Sequence, residues 1–357
     1  MTTERARVAI IGCGNIAGPY AKSLVTFPHL ELAGTADIEP ARAEKLAAQY
    51  GVRAYPTVEA ALADPTIAVA VNLTIHHAHY DVTRRAIEVG KHVFTEKPMA
   101  LTYAQAQELA ALARTRGLRL GAAPFTFLGE AQQTALQMIR EGRLGRVRVA
   151  YAEVNWGRIE TWHPNPAPFY AVGPLFDVGV YPLTLLTTAF GPARRVQSFG
   201  RVLYPDRRTQ EGATFRPEAP DFAVTMLEWD DGTVARLTTN FYVSQKGMQS
   251  GLEFHGDAGS LFMGSWQSFN SALQFAAFGQ PYEEVPLPVE PYPGTEWGRG
   301  TAEMVEAIQQ GRPHRATGEQ AAHVVEILTG AQASMRTNGP VELTSTFAPP
   351  APLPGWE

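Results

Sequence analysis

The sequence predicts an α/β protein of two domains, 1–123 and 124–357. The first is built on a parallel sheet, and the second is an α+β domain with a large, mostly antiparallel open-faced sheet. Three observations carry this. Short apolar runs alternate with amphipathic ones through the first third of the chain, the signature of βαβ units. Near Ala123 that alternation stops, and strand-like segments then follow one another with turn signals between them. A glycine-rich turn also joins the first strand directly to the first helix, a place where an α/β fold has a use for one.

In the first domain Arg7–Ile11, Leu30–Ala36, Ala68–Leu73, His92–Thr95 and Leu118–Ala122 read as buried strands. Ala17–Thr26, Pro40–Tyr50, Thr57–Ala63, His79–Gly90 and Thr102–Arg116 read as the helices between them. In the second domain a helix over Glu130–Glu141 leads through Gly142 and Gly145 to a strand at Val147–Asn155. A proline-rich loop follows, then a helix within Leu175–Phe190. From Val196 to about Phe278 the chain reads as successive antiparallel strands, with Asp231-Gly232 and Asp257-Ala258-Gly259 as turns. Over Val234–Val243, Ala235, Leu237, Phe241 and Val243 point one way, while Arg236, Thr238, Asn240 and Tyr242 point the other. This is the pattern of a sheet with one dry and one wetter face, and the wetter face is expected to join subunits in a homodimer or homotetramer. Pro281–Gly294 should be extended. Trp297–Gln310 and Gly318–Thr337 read as closing helices that return toward the first domain, and the tail Phe347–Glu357 reads as loose.

Composition narrows the function classes. With 357 residues, 45% hydrophobic and 18% charged, the chain has the make-up of a globular protein. A net charge of −5 gives it no basic field for nucleic acid or anionic lipid. Its apolar stretches are interrupted too soon to span a bilayer. Met1–Arg7 is polar and lacks a signal-peptide core, so a cytoplasmic location is expected. The single cysteine, Cys13, excludes an internal disulfide and a cysteine-based metal site.

Chemistry enters at Gly12-Cys13-Gly14-Asn15-Ile16-Ala17. In this G-x-G-x-x-A turn Gly12 permits the tight bend, and Gly14 lets the backbone approach a pyrophosphate. Ala17 lets helix and strand pack, and the helix N-terminus offers N–H groups to the anion. The strand before it and the second strand after it make this a Rossmann dinucleotide-binding domain. Asp37 closes the second strand, where a carboxylate accepts both ribose hydroxyls of NAD; the following Ile38 offers nothing to a 2′-phosphate. NAD is therefore the expected cofactor, and Arg42 keeps NADP possible. The bland alternative for Asp37 is a cap on the helix beginning at Pro40, and for Cys13 a small side chain that fits.

A second motif, Thr74-Ile75-His76-His77-Ala78-His79, precedes a helix, and Glu96-Lys97-Pro98 ends the next strand. With these the chain resembles the glucose–fructose oxidoreductase/inositol dehydrogenase (Gfo/Idh/MocA) family. The resemblance runs on through Glu141–Gly145, Gly173-Pro174-Leu175-Phe176-Asp177-Val178-Gly179-Val180-Tyr181 and the closing helices to Asn338–Glu342. It implies hydride transfer between nicotinamide and a carbinol carbon of a sugar, polyol or related molecule. Cofactor contacts would come from Gly12, Gly14, Asn15, Ile16, Asp37, Thr74, His76, His79, Glu96 and Lys97.

Oxidising a carbinol also requires a group to take its proton and to stabilise the charge that develops. The resemblance gives that work to Lys97, with a cis bond to Pro98, and to Asp177 and Tyr181. Asp177 and Tyr181 stand four apart and would share a helix face, although Pro182 cannot lie deep in a regular helix. Tyr181 stands where the family more often has histidine. Phe127 lies near a frequent arginine, which argues against an anionic substrate held at that point. Trp162, His163 and Tyr170, in the loop ahead of Asp177, are candidate substrate contacts. His76, His77 and His79 resemble a metal cluster only by count, and no metal is expected. Two alternatives remain open: tightly held NAD used as an internal redox carrier, and a dinucleotide-sensing regulator. Retention of Lys97, Asp177 and Tyr181 argues against the regulator.

Overall fold

In the computed structural model, which describes residues 5–244 and 247–357, the chain divides into two units. The first four residues of the polar N-terminus lie outside that description. The first unit comprises 1–125 with 296–325, and the second 126–295 with 326–357.

In chain order the first 125 residues give β1 (Ala6–Ile11), α1 (Ala17–Leu24), β2 (Leu30–Ala36), α2 (Pro40–Tyr50), β3 (Arg53–Ala54) and α3 (Val58–Ala63). They continue with β4 (Val69–Asn72), α4 (His79–Glu88), β5 (His92–Thr95), α5 (Tyr103–Thr115) and β6 (Leu120–Ala122). These strands form a six-stranded sheet of order β3-β2-β1-β4-β5-β6, parallel throughout. Val8, Ile10, Val71, Val93 and Phe94 are fully buried, as strands covered on both faces require. The strand order reverses between β1 and β4, which opens the crevice where such sheets take their ligands. β3 escapes the sequence reading because its two residues are too few to show a period; they pair with Gly34 and Thr35.

The second unit begins with α6 (Glu130–Arg140), β7 (Val147–Asn155), α7 (Ala167–Asp177), α8 (Val180–Phe190), β8 (Arg195–Arg201), β9 (Arg207–Arg208) and β10 (Thr214–Phe215). Then come β11 (Phe222–Glu228), β12 (Val234–Asn240), β13 (Gly251–Gly256), β14 (Gly259–Met263), β15 (Leu273–Ala277) and β16 (Glu283–Glu284). The chain closes with α9 (Arg299–Gln310), α10 (Gly318–Thr337) and β17 (Val341–Glu342). Nine strands form one sheet of order β16-β15-β14-β13-β7-β12-β11-β8-β17. β7 and β12 pair in parallel, so the expected run of antiparallel strands holds everywhere in the sheet except at its centre.

One face of this sheet is dry, with Ala235, Leu237, Ala152, Leu252 and Phe254 buried; on the other Phe199 and Met226 stay exposed. The alternation stops at Asn240, three residues short of Val243. Asn240 is buried: its amide donates to Asn155 Oδ1, and its Oδ1 accepts the N–H of Tyr242 (3.1 Å) and Val243 (2.6 Å). That side chain ends β12, so Val243 is exposed instead of facing the core.

Helix α7 also starts earlier than the sequence suggested, at Ala167. Pro166 takes the N-cap and Pro168 lies in the first turn, where a missing N–H is harmless, so a proline-rich stretch that read as loop is helical. Inside α7, Gly173 leaves helical geometry at φ 75°, and a Cβ there would lie 2.7 Å from Pro220 O. Together α7 and α8 run 24 residues and are apolar enough to cross a bilayer, yet 78% of their apolar 18-residue window is buried inside the fold, as in core helices.

The tail is not loose. Trp356 is buried, its indole N–H donates to Thr134 Oγ1 (3.1 Å), and Leu353 N–H donates to Gln133 Oε1 (3.0 Å). Both partners lie on α6.

Candidate active site

The turn between β1 and α1 is closed at one glycine and open at the other. At Gly12, with φ 94°, a Cβ would sit 2.7 Å from the backbone of Leu73 and Thr74, so only glycine lets this turn pass the end of β4. At Gly14 a Cβ would meet nothing within 4 Å, leaving the approach to the backbone clear. Helix α1 begins after Asn15 and Ile16 with no side-chain cap, so its N-terminal dipole faces outward. Asp37, buried at the end of β2, accepts N–H groups from Cys13 (2.6 Å) and Glu39 (2.8 Å). Glu39, not Asp37, is the N-cap of α2, so the capping alternative for Asp37 falls. Arg42 is engaged on the surface by Glu39 at 2.9 Å. An open glycine, an uncapped helix start and a carboxylate at the end of β2 fit a dinucleotide with free ribose hydroxyls. The Cys13 thiol, pushed up to about 12 by burial and then by the Asp37 charge, stays protonated, as a small filler would.

At the end of β4 the fully buried Asn72 organises the turn that carries Thr74 and His76. Its amide donates to His79 O and Thr83 Oγ1, both at 3.0 Å, and its Oδ1 accepts the Thr74 hydroxyl at 2.6 Å. His76 is half-buried and packs edge-on against His77, with ring centroids 4.5 Å apart. His79 departs from expectation. Its buried ring lies 2.8 Å (Nδ1) from Pro98 O and 2.9 Å (Nε2) from Thr74 O, so it ties this turn to the strand end of Lys97. Burial outweighs those two carbonyls and holds its pKa below the ordinary imidazole value. A ring so occupied is a structural pin and has no nitrogen left for a cofactor. Among the described residues no group of three His, Cys, Asp or Glu is arranged to hold a metal ion.

Glu96, also buried, accepts the Tyr20 hydroxyl (2.6 Å) and the Lys97 backbone N–H (3.1 Å). The start of α1 and the end of β5 are thus fastened together, with the half-buried Lys97 at the junction and a cis Lys97–Pro98 bond after it.

In the second unit Asp177 and Tyr181 do not share one helix. Asp177 ends α7, Val178 leaves helical geometry, and Tyr181 lies in the first turn of α8. Pro182 then falls in that same first turn, where its lack of an N–H is tolerated. Tyr181 is buried, and its ring packs on Trp266 at 4.9 Å; Trp266 in turn meets Trp156 at 5.7 Å.

The loop after β7 separates the three substrate candidates. Trp162 is 49% exposed, and His163 packs against it and against Phe169. Tyr170 is instead a core residue. Its hydroxyl donates to Glu160 Oε2 (2.5 Å) and accepts from Arg207 Nη1 (2.7 Å), and burial drives its pKa up. Arg207 is fully buried between Glu160 (2.7 Å) and Asp221 (2.6 Å). A phenol committed to that network is withdrawn from substrate contact. Sequence reasoning missed Tyr20, Asn72, Trp156 and Trp266, because each reads locally as core or turn. It also missed the Arg207 cluster, whose members are scattered from 160 to 221.

Comparison with known proteins agrees with this architecture. Residues 6–123 match the family described as "Oxidoreductase family, NAD-binding Rossmann fold", and 132–262 match the GFO/IDH/MocA C-terminal domain. A dTDP-3,4-didehydro-2,6-dideoxy-α-D-glucose 3-reductase of Streptomyces antibioticus is 32% identical over 58% of this chain and 63% of its own. A trans-1,2-dihydrobenzene-1,2-diol dehydrogenase of Macaca fuscata fuscata is 31% identical over 52% and 56%. The chain thus spans a little over half the length of these curated relatives. An NAD-binding oxidoreductase of Klebsiella pneumoniae shares the fold at a TM-score of 0.84, with 22% identity over 96% of this chain and 99% of its own. Together the two family matches take in more than half of the sequence, and the chain belongs to the Gfo/Idh/MocA oxidoreductase family, with that family's NAD-binding Rossmann fold as its first unit.

Proposed function

We propose that this protein is a dehydrogenase that oxidises a carbinol carbon of a sugar, polyol or similar ring-bearing molecule, or reduces the corresponding ketone, with NAD preferred to NADP. The observation that carries the reading is the junction at Lys97, a lysine at a strand end beside the dinucleotide loop whose backbone is fixed by Glu96, Tyr20 and His79. Bound NAD supplies the hydride acceptor. Lys97 takes the hydroxyl proton and steadies the oxygen as charge develops on it. In the second unit Tyr181, clamped on Trp266, offers a phenol as a second proton carrier, and Asp177 and His163 offer hydrogen bonds to substrate hydroxyls. Asp37 accepts the ribose hydroxyls, and Thr74 and His76 line the cofactor side. The names of the two curated relatives support a ring carbon as the reacting centre. The exposed face of the nine-stranded sheet, carrying Phe199 and Met226, serves as the interface of a homodimer or homotetramer.

The test is NADH formation over a panel of sugars, inositols and anhydro-sugars. Lys97→Ala should lose several orders of magnitude in turnover while still binding dinucleotide. Tyr181→Phe should lose roughly 10²–10⁴-fold and keep its melting temperature. Survival of more than about a tenth of the activity in Lys97→Ala would reject the assignment.

A further inference from the structure

Beside the Trp266–Trp156 pair lies a cavity of about 780 Å³, lined by Trp156, Arg158, Thr161, Trp162, Tyr242 and Ser244. Its volume is in the upper part of the roughly 300–1,000 Å³ typical of ligand pockets. Two features set its chemistry. Three aromatic rings form its walls, and such rings carry apolar faces on which the C–H face of a sugar can lie. The cation is the second. The Arg158 guanidinium lies over the rings of Tyr242 (4.6 Å) and Tyr204 (4.9 Å), and among the described residues it meets neither a carboxylate nor any hydrogen-bond acceptor.

Its neighbour shows what is missing. Arg207 stacks on the same Tyr204 ring (5.3 Å) and on Tyr170 (4.3 Å), but Glu160 and Asp221 satisfy its edge. The two tyrosine rings hold Arg158 in the cavity lining, and its guanidinium, a fork of N–H groups that recognises planar anions bidentately, keeps no acceptor among the described residues.

We infer that this cavity is a substrate subsite for an acidic carbohydrate: the sugar face lies on the tryptophans and an anionic oxygen pair, carboxylate or phosphoryl, is held by Arg158. This rests on the dehydrogenase reading for why a carbohydrate comes here, and Tyr181 is two ring contacts away through Trp266. The loss of a basic residue at Phe127 is consistent with it, because the cation is supplied from another loop.

The test titrates NAD-loaded protein by tryptophan fluorescence with matched pairs: glucose against glucuronate, galactose against galacturonate, and glucose against glucose 1-phosphate. The acidic member of at least one pair should bind roughly 10–100-fold more tightly, the worth of hydrogen bonds to a charged group. Preference for the uronates marks a carboxylate, and preference for the phosphate marks a phosphoryl group. Arg158→Gln should erase the preference, the acidic member of each pair then binding no more tightly than its neutral partner, with the melting temperature little changed. Arg158→Lys should keep part of it, having the charge but not the fork. Equal binding within every pair, or a preference that survives in Arg158→Gln, overturns the inference. NADH formation, followed in parallel, separates the two claims. An acid held through Arg158 while no sugar is oxidised sinks only the dehydrogenase reading. Oxidation of sugars without any preference sinks only the subsite.

Discussion

Two loops that carry candidate residues are held still by different physics. In the first unit the turn after β4 is fixed by neutral groups: Asn72 and His79 knit backbone to backbone around Thr74. In the second unit the loop after β7 is fixed by full charges, Arg207 locked between Glu160 and Asp221 with Tyr170 across its face. A neutral network tolerates the loss of one member, at the cost of a hydrogen bond, but burial penalises the charge its histidine would take up in acid. In a buried ion cluster, removing one partner strands the others without water. The two loops should therefore fail under different insults.

The largest expected effect is at Arg207. Arg207→Met removes the cation and leaves two carboxylates facing each other in the core, which should destabilise the second unit by about 3–5 kcal/mol. Denaturant unfolding measures this. A loss well under 1 kcal/mol would mean that the carboxylates simply protonate or rehydrate, and the contrast between the loops would collapse.

Next is acid sensitivity in the first unit. His79, His92 and His314 all have pKa values lowered by burial. His92 Nδ1 accepts the Arg119 N–H at 2.9 Å, a bond that only the unprotonated nitrogen can make. Protonation thus favours the unfolded chain. The stabilisation is complete above the unfolded imidazole value of about 6.5 and is lost as pH falls below it. Stability measured from pH 8 to 5 should be flat and then decline. His79→Gln should cost about 1–3 kcal/mol at neutral pH and make the acid slope shallower. An unchanged slope would remove His79 from the account.

The smallest effect concerns Asp37, a buried carboxylate answered by backbone N–H groups rather than by a cation. Asp37→Ala should weaken NAD by roughly tenfold and narrow its advantage over NADP. Tighter binding of NADP by the unaltered protein would contradict the role given to Asp37.

The parts of this molecule legible in the sequence are those encoded by short-range repetition. Val8–Ile11 running into Gly12 and Gly14 announces both a strand and its purpose, and Glu96-Lys97-Pro98 is recognisable because its residues are adjacent. What escaped is set at long range. Nothing near His79 says that its ring closes on Pro98, and nothing in Tyr170 says that Arg207 will claim its hydroxyl. The helix-face argument for Asp177 and Tyr181 failed for a local reason, a break at Val178 that the intervening glycine and the following proline permit. Proline misled in the opposite sense at Ala167, where first-turn positions hid a helix inside what looked like a loop.

The first unit is written in two pieces, 1–125 and 296–325, and this governs how it can be made. A Cβ at Gly300 would lie 2.5 Å from the Phe94 ring and 2.7 Å from that of Phe125, so α9 lies directly on a surface finished long before it. On the ribosome, at roughly 5–20 residues per second, all of 126–295 must emerge before that cover arrives. The nascent sheet waits with its aromatic flank bare, a stretch of time in which chaperone binding or misassociation competes with completion. Completion of the unit that carries the dinucleotide motif is thus a late event in this protein's synthesis, even though the motif is among the first residues translated.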